Sequence, residues 1–73
     1  MSGPVVDGRE LLPPEPMVRV LEVLPTLAPG EALTVLLYRE PFPLYARLQA
    51  MGFTWRTTLA DDGTYSVVVR SRP

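Results

Sequence analysis

The stretch Pro13-Pro14-Glu15-Pro16-Met17-Val18-Arg19-Val20-Leu21-Glu22-Val23-Leu24 decides the fold. Met17, Val20, Leu21 and Leu24 recur at spacings of three and four, the period of one helical face, while Glu15, Arg19 and Glu22 fall elsewhere on the same cylinder. Proline is tolerated in a first helical turn, whose N–H groups have no intrahelical acceptor, and Glu15 stands where the helix dipole favours a negative charge. The spacing predicts an amphipathic helix with one buried face, entered through the proline motif. Pro25 has no N–H to donate to Leu21, so the helix either stops there or finishes in a distorted turn that carries Leu27. Pro29-Gly30 ends the segment in either case.

Outward from this helix the period changes on both sides. Val5-Val6 followed by Asp7-Gly8 reads as a short strand running into a turn. From Ala32 to Tyr38 the chain alternates, with Leu33, Val35 and Leu37 on one face and Thr34, Leu36 and Tyr38 on the other. Both faces are apolar enough for an interior strand. Pro41 and Pro43 open a second helix, with Leu44, Leu48 and Met51 as its buried stripe and Gly52 as its cap. Phe53 to Leu59 and Tyr65 to Arg72 are strand-like runs joined around Asp61-Asp62-Gly63, a strong hairpin signal in which both aspartates are turn residues. Phe53, Trp55, Thr57 and Leu59 share one face with Tyr65, Val67 and Val69 across the hairpin.

The predicted order is β-α-β-α-β-β: an α/β two-layer sandwich with a four-stranded mixed sheet and both helices on one face. A right-handed crossover makes the first two strands parallel. The other sheet face then presents Arg56, Arg70, Arg72, Leu36 and Tyr38 to solvent or a partner.

The 73 residues are expected to form one domain, 1–73, and a chain of this length buries only roughly 60% of the surface its unfolded form exposes. With 47% hydrophobic and 21% charged residues, it is too apolar for a disordered tail. All seven basic residues are arginine, and against eight carboxylates the net charge is -1, so no overall field draws in nucleic acid. The chain has no cysteine and no histidine, which excludes a thiol nucleophile, a disulfide, an imidazole base and the usual zinc sites. No cofactor, no metal and no enzymatic activity are therefore expected. Met1-Ser2-Gly3-Pro4 does not open a signal peptide, and Val35 to Tyr38 is too short to cross a bilayer, so the expected location is cytoplasmic, with no membrane partner.

Three motifs in order carry a resemblance over nearly the whole chain: Val6-Asp7 through Leu11-Leu12-Pro13-Pro14-Glu15-Pro16; Pro29-Gly30-Glu31; and Arg39-Glu40-Pro41-Phe42-Pro43-Leu44-Tyr45 running on to Gly52-Phe53. Together they resemble an uncharacterised bacterial domain family related to TusA and SirA. The resemblance implies a fold similar to the carboxy-terminal domain of translation initiation factor three, with the second and fourth strands central in a mixed sheet. TusA-like sulfur carriers have Cys-Pro-x-Pro at the helix start, where unpaired N–H groups and the dipole lower the pKa of a thiol that holds a persulfide. Pro13 stands in the cysteine's place here, so the resemblance implies the scaffold without the sulfur-carrier chemistry.

The candidate binding residues are Pro13, Pro14, Glu15 and Pro16 at the first helix start, and Arg39, Glu40 and Tyr45 around the second. The first group is explained by a stiff helix entry alone, with a docking or anion site as its functional reading. The second group is either a solvated loop or a contact surface, where rigid prolines and an aromatic ring lower the entropic cost of binding. The leading expectation is an interaction or ligand-binding module for a protein partner or small ligand. The alternatives are an accessory role in a sulfur-relay or tRNA-thiolation pathway, and RNA binding through Arg56, Arg70, Arg72 and Tyr38 on the open sheet.

Overall fold

A computed structural model describes residues 3–71; Arg72, expected on the open sheet face, lies outside them. The elements are β1 (Val5–Asp7), α1 (Glu15–Val23) with a 3-10 turn (Leu24–Thr26), β2 (Ala32–Leu37), α2 (Phe42–Ala50), β3 (Phe53–Leu59) and β4 (Tyr65–Ser71). The sheet order is β1-β2-β4-β3, with β1 parallel to β2 and the other pairs antiparallel. The sequence order and the central places of β2 and β4 are as expected.

Local chemistry sets each boundary. The Glu15 N–H donates to the Leu12 carbonyl at 2.9 Å, closing a turn over the cis Pro13–Pro14 bond, and the first helical bond runs from Val18 N–H to the Pro14 carbonyl at 3.1 Å. Pro16 stands within the first helical turn, where its missing donor costs nothing. Pro25 converts the end of α1 into the 3-10 turn: the Leu27 N–H donates to the Leu24 carbonyl at 3.2 Å, and the Thr26 hydroxyl donates to the Val23 carbonyl at 2.6 Å. Of the two endings the sequence allows, the distorted turn is the one adopted.

The inward sheet positions are Leu33, Val35, Leu37, Val67 and Val69. They form one buried cluster with Val6 and with Val20, Leu24, Leu44 and Leu48 of the helical segments, so both helices lie on the same face. Burial of a whole Leu or Val side chain is worth about 1.5–3 kcal/mol, and seven such side chains are fully enclosed, which makes this cluster the main apolar contribution to the fold. The β3–β4 hairpin turns at Gly63, whose φ of 88° lies in the left-handed region, while the Asp62 carboxylate accepts from the Thr64 N–H at 2.9 Å. That hydrogen bond holds the Asp62 pKa below the usual carboxylate range. Both aspartates serve the turn, as the sequence indicates.

Two expected positions, Met51 and Tyr38, are corrected. Met51 is 47% exposed rather than buried: it is the C-terminal cap of α2, one residue past the last full turn, and Gly52 with φ 84° then leads the chain away. Leu59 keeps the expected face, paired with Tyr65, but is 59% exposed there because it adjoins the hairpin turn, beyond Thr57, which Tyr45 of α2 reaches. Tyr38 follows the end of β2 and lines a groove on the helical side instead of the open sheet.

Candidate functional site

The starts of α1 and α2 flank an open groove of about 580 Å³, with Val35 and Leu37 of β2 among its lining residues. Pro13, Pro14 and Pro16 line one side, and Pro41 and Pro43 line the other. Proline fixes φ, so these walls are stiff before anything binds and lose little entropy on binding. Leu12, 81% exposed, and Tyr38, 53% exposed, also line it and leave apolar surface open to water.

Gly8 brings the end of β1 into this wall. Its N–H donates to the Leu36 carbonyl at 2.8 Å, and a Cβ there would meet Leu37 Cδ2 at 2.7 Å and Pro16 Cβ at 3.1 Å. The glycine in Asp7-Gly8 therefore serves close approach as well as the turn.

Three charged residues line the groove: Arg9, Arg39 and Glu40. The Arg9 guanidinium grips Asp7 through Nε to Oδ1 at 2.9 Å and Nη2 to Oδ2 at 2.8 Å, and its backbone N–H donates to Oδ1 at 3.2 Å. These bonds lower the Asp7 pKa to about 2 and raise that of Arg9, so this guanidinium is already neutralised. Glu40 accepts from the Tyr45 hydroxyl at 3.1 Å. Among the described residues Arg39 makes no ion pair and no side-chain hydrogen bond, which leaves it as the groove's uncommitted cation.

Of the seven candidate residues, Pro13, Pro14, Pro16, Arg39 and Glu40 line this groove, and Glu15 and Tyr45 do not. Glu15 points to solvent, 3.9 Å from Arg19, in an exposed pair worth little to stability. Tyr45 is half-buried on the far side of α2. Its ring stacks on Trp55 with centroids 5.1 Å apart and planes 10° from parallel, and the Phe42 ring stands edge-on to it at 5.8 Å. Its hydroxyl lies 2.5 Å from the Thr57 hydroxyl. Burial raises the Tyr45 pKa, with the Thr57 hydrogen bond opposing and the Glu40 carboxylate reinforcing that shift.

Sequence reading missed Leu12, Tyr38, Gly8 and Arg9 as groove residues. Leu11-Leu12 ahead of a double proline carried a signal, an apolar pair placed before the helix; the contribution of Arg9 depends on its fold-back onto Asp7. Among the described residues no three potential ligand side chains gather to hold a metal ion, and no helix is long and apolar enough to cross a membrane. The groove lining is mainly apolar, with the guanidinium groups of Arg9 and Arg39 and the Glu40 carboxylate as its charged groups.

A structure of similar fold is the SirA-like protein from Desulfitobacterium hafniense, with a TM-score of 0.82 and 23% sequence identity over 92% of this chain and 95% of that one. At that identity the likeness establishes the fold, a TusA/SirA-like α/β sandwich. No curated protein matches the chain. The sequence model of an uncharacterised conserved protein family, DUF2249, matches residues 5–71, and the chain belongs to that family.

Proposed function

We propose that this domain is a non-enzymatic binding module, which takes an apolar, anion-bearing ligand or partner segment into the groove between its helix starts. The observation that carries this reading is the convergence of the two proline motifs on one apolar groove with a free guanidinium, Arg39, at its side. A largely apolar cleft with few polar groups, within the roughly 300–1,000 Å³ range of ligand sites, is the usual form of a binding pocket. The absence of cysteine and histidine supports a role without covalent chemistry. So does the resemblance to TusA-like carriers, which implies that Pro13 takes the position of their sulfur-bearing cysteine.

The test is nuclear magnetic resonance mapping with 8-anilinonaphthalene-1-sulfonate, an apolar anion, as probe. Shifts should concentrate at Gly8, Leu12, Leu37 and Leu44, and Arg39→Ala or Leu12→Asp should weaken binding several-fold. Shifts confined to the open sheet face would overturn the site. Incubation with a cysteine desulfurase and labelled sulfur tests the chemistry: stable label on this chain would overturn the non-enzymatic reading.

A further inference from the structure

The two edges of the sheet differ in a way the groove does not explain. Edge strand β1 has three residues and follows Pro4, so it offers little backbone to another strand. Edge strand β3 has seven, Phe53-Thr54-Trp55-Arg56-Thr57-Thr58-Leu59, rich in β-branched and aromatic residues and free of proline, glycine and lysine. On its outward side, among the described residues, none of its backbone N–H or C=O groups has a partner beyond the β3–β4 ladder. Proteins ordinarily blunt such an edge, because it is a template for strand addition.

The open sheet face beside this edge is charged on one side. The register places Thr54 opposite Arg70 and Arg56 opposite Val68, so the two arginines are diagonal neighbours on the same face. Both are exposed, neither makes an ion pair among the described residues, and with Thr54, Trp55 and Val68 they line a shallow depression, although the Trp55 ring itself stacks on Tyr45 of α2. The outward positions of the sheet, from Val5 and Asp7 across to Thr54, Arg56 and Thr58, hold no aromatic side chain on which a base would stack.

We propose that β3 is a docking edge for an extended polypeptide segment with carboxylates at alternate positions. Alternate residues of an added strand share one face, so Asp or Glu spaced by two would meet Arg56 directly and reach towards Arg70, while main-chain hydrogen bonds supply the pairing. Arginine's planar fork suits carboxylate geometry. A second copy of this chain is disfavoured as the occupant: a symmetric antiparallel pairing centred on β3 sets Arg56 opposite Arg56, and neighbouring registers still gather four arginines on one face.

The experiment titrates the full chain, isotopically labelled, with a seven-residue peptide alternating valine and glutamate. Saturable shifts along Thr54 to Leu59 and slowed exchange at alternate β3 amides are expected. Arg56→Glu, beside the added strand, should weaken binding about tenfold, Arg70→Glu, one strand further away, should weaken it by less, and added salt should weaken it further. Equal binding of a peptide of the same composition with its glutamates contiguous would overturn the proposal. So would indifference to either charge reversal, a peptide-free dimer whose protected amides lie on β3, or tighter binding of oligouridylate at the same residues. None of these outcomes depends on ligand binding in the helical groove.

Discussion

Replacing Tyr45 by phenylalanine removes one oxygen and leaves the ring stack intact. That oxygen bridges α2 to β3: it lies 2.5 Å from the Thr57 hydroxyl and donates to Glu40 at 3.1 Å. A net intramolecular hydrogen bond contributes about 0.5–1.5 kcal/mol, and the partly exposed Glu40 contact belongs at the low end, so the expected loss is about 1–2 kcal/mol. In a domain of this size 1 kcal/mol moves Tm by about 4–8 °C, so thermal unfolding followed by circular dichroism should show a drop of roughly 5–15 °C. Combining Tyr45→Phe with Thr57→Val in a double-mutant cycle should return a coupling of about 1 kcal/mol between the two hydroxyls. A Tm change under about 2 °C together with no coupling would refute the bridge and restore Tyr45 as a surface residue. Tyr45→Ala is a poor probe of binding by the same reasoning. It also forfeits the Trp55 stack and half-buried ring area, about 2–4 kcal/mol in all, comparable to the whole stability of so small a domain.

Three further outcomes follow from the same contacts. Burial raises the folded pKa of Tyr45, so above about pH 10 the unfolded phenol ionises first and stability falls as pH rises towards the folded pKa; Tyr45→Phe should flatten that alkaline slope in urea titrations. The sign is opposite for Asp7, whose folded pKa of about 2 lies below its unfolded value: its ion-pair stabilisation is present above about pH 4 and is lost as pH falls towards 2, and Asp7→Asn should remove that acid dependence. Leu48→Ala, in the fully enclosed core, should cost about 2–5 kcal/mol, read as a lowered urea midpoint.

Periodicity and turn chemistry were enough for the architecture. Met17, Val20, Leu21 and Leu24 mark one helical face, Leu33, Val35 and Leu37 mark one strand face, and Asp61-Asp62-Gly63 marks the hairpin, each from interactions within a few residues. These signals weaken at element ends. Met51 continues the helical spacing past the point where Gly52 turns the chain away, and Leu59 continues the strand alternation past the helices that would cover it. Periodicity states which face a residue belongs to; it does not state how far the opposing layer extends.

The sequence by itself determined the two-layer fold, the proline-stiffened helix starts and the want of thiol or imidazole chemistry, because propensity, hydrophobic period and residue type are local properties. Only the tertiary structure decided which candidate residues share a site. It set Pro13, Pro14 and Pro16 across from Pro41 and Pro43 and turned Arg9 onto Asp7. It also left Arg39 without an ion pair among the described residues and drew Tyr45 away to Trp55 and Thr57. Each of those outcomes depends on which chain segments pack side by side, and pairings between distant segments are fixed by burial of a common core that no short stretch of sequence encodes.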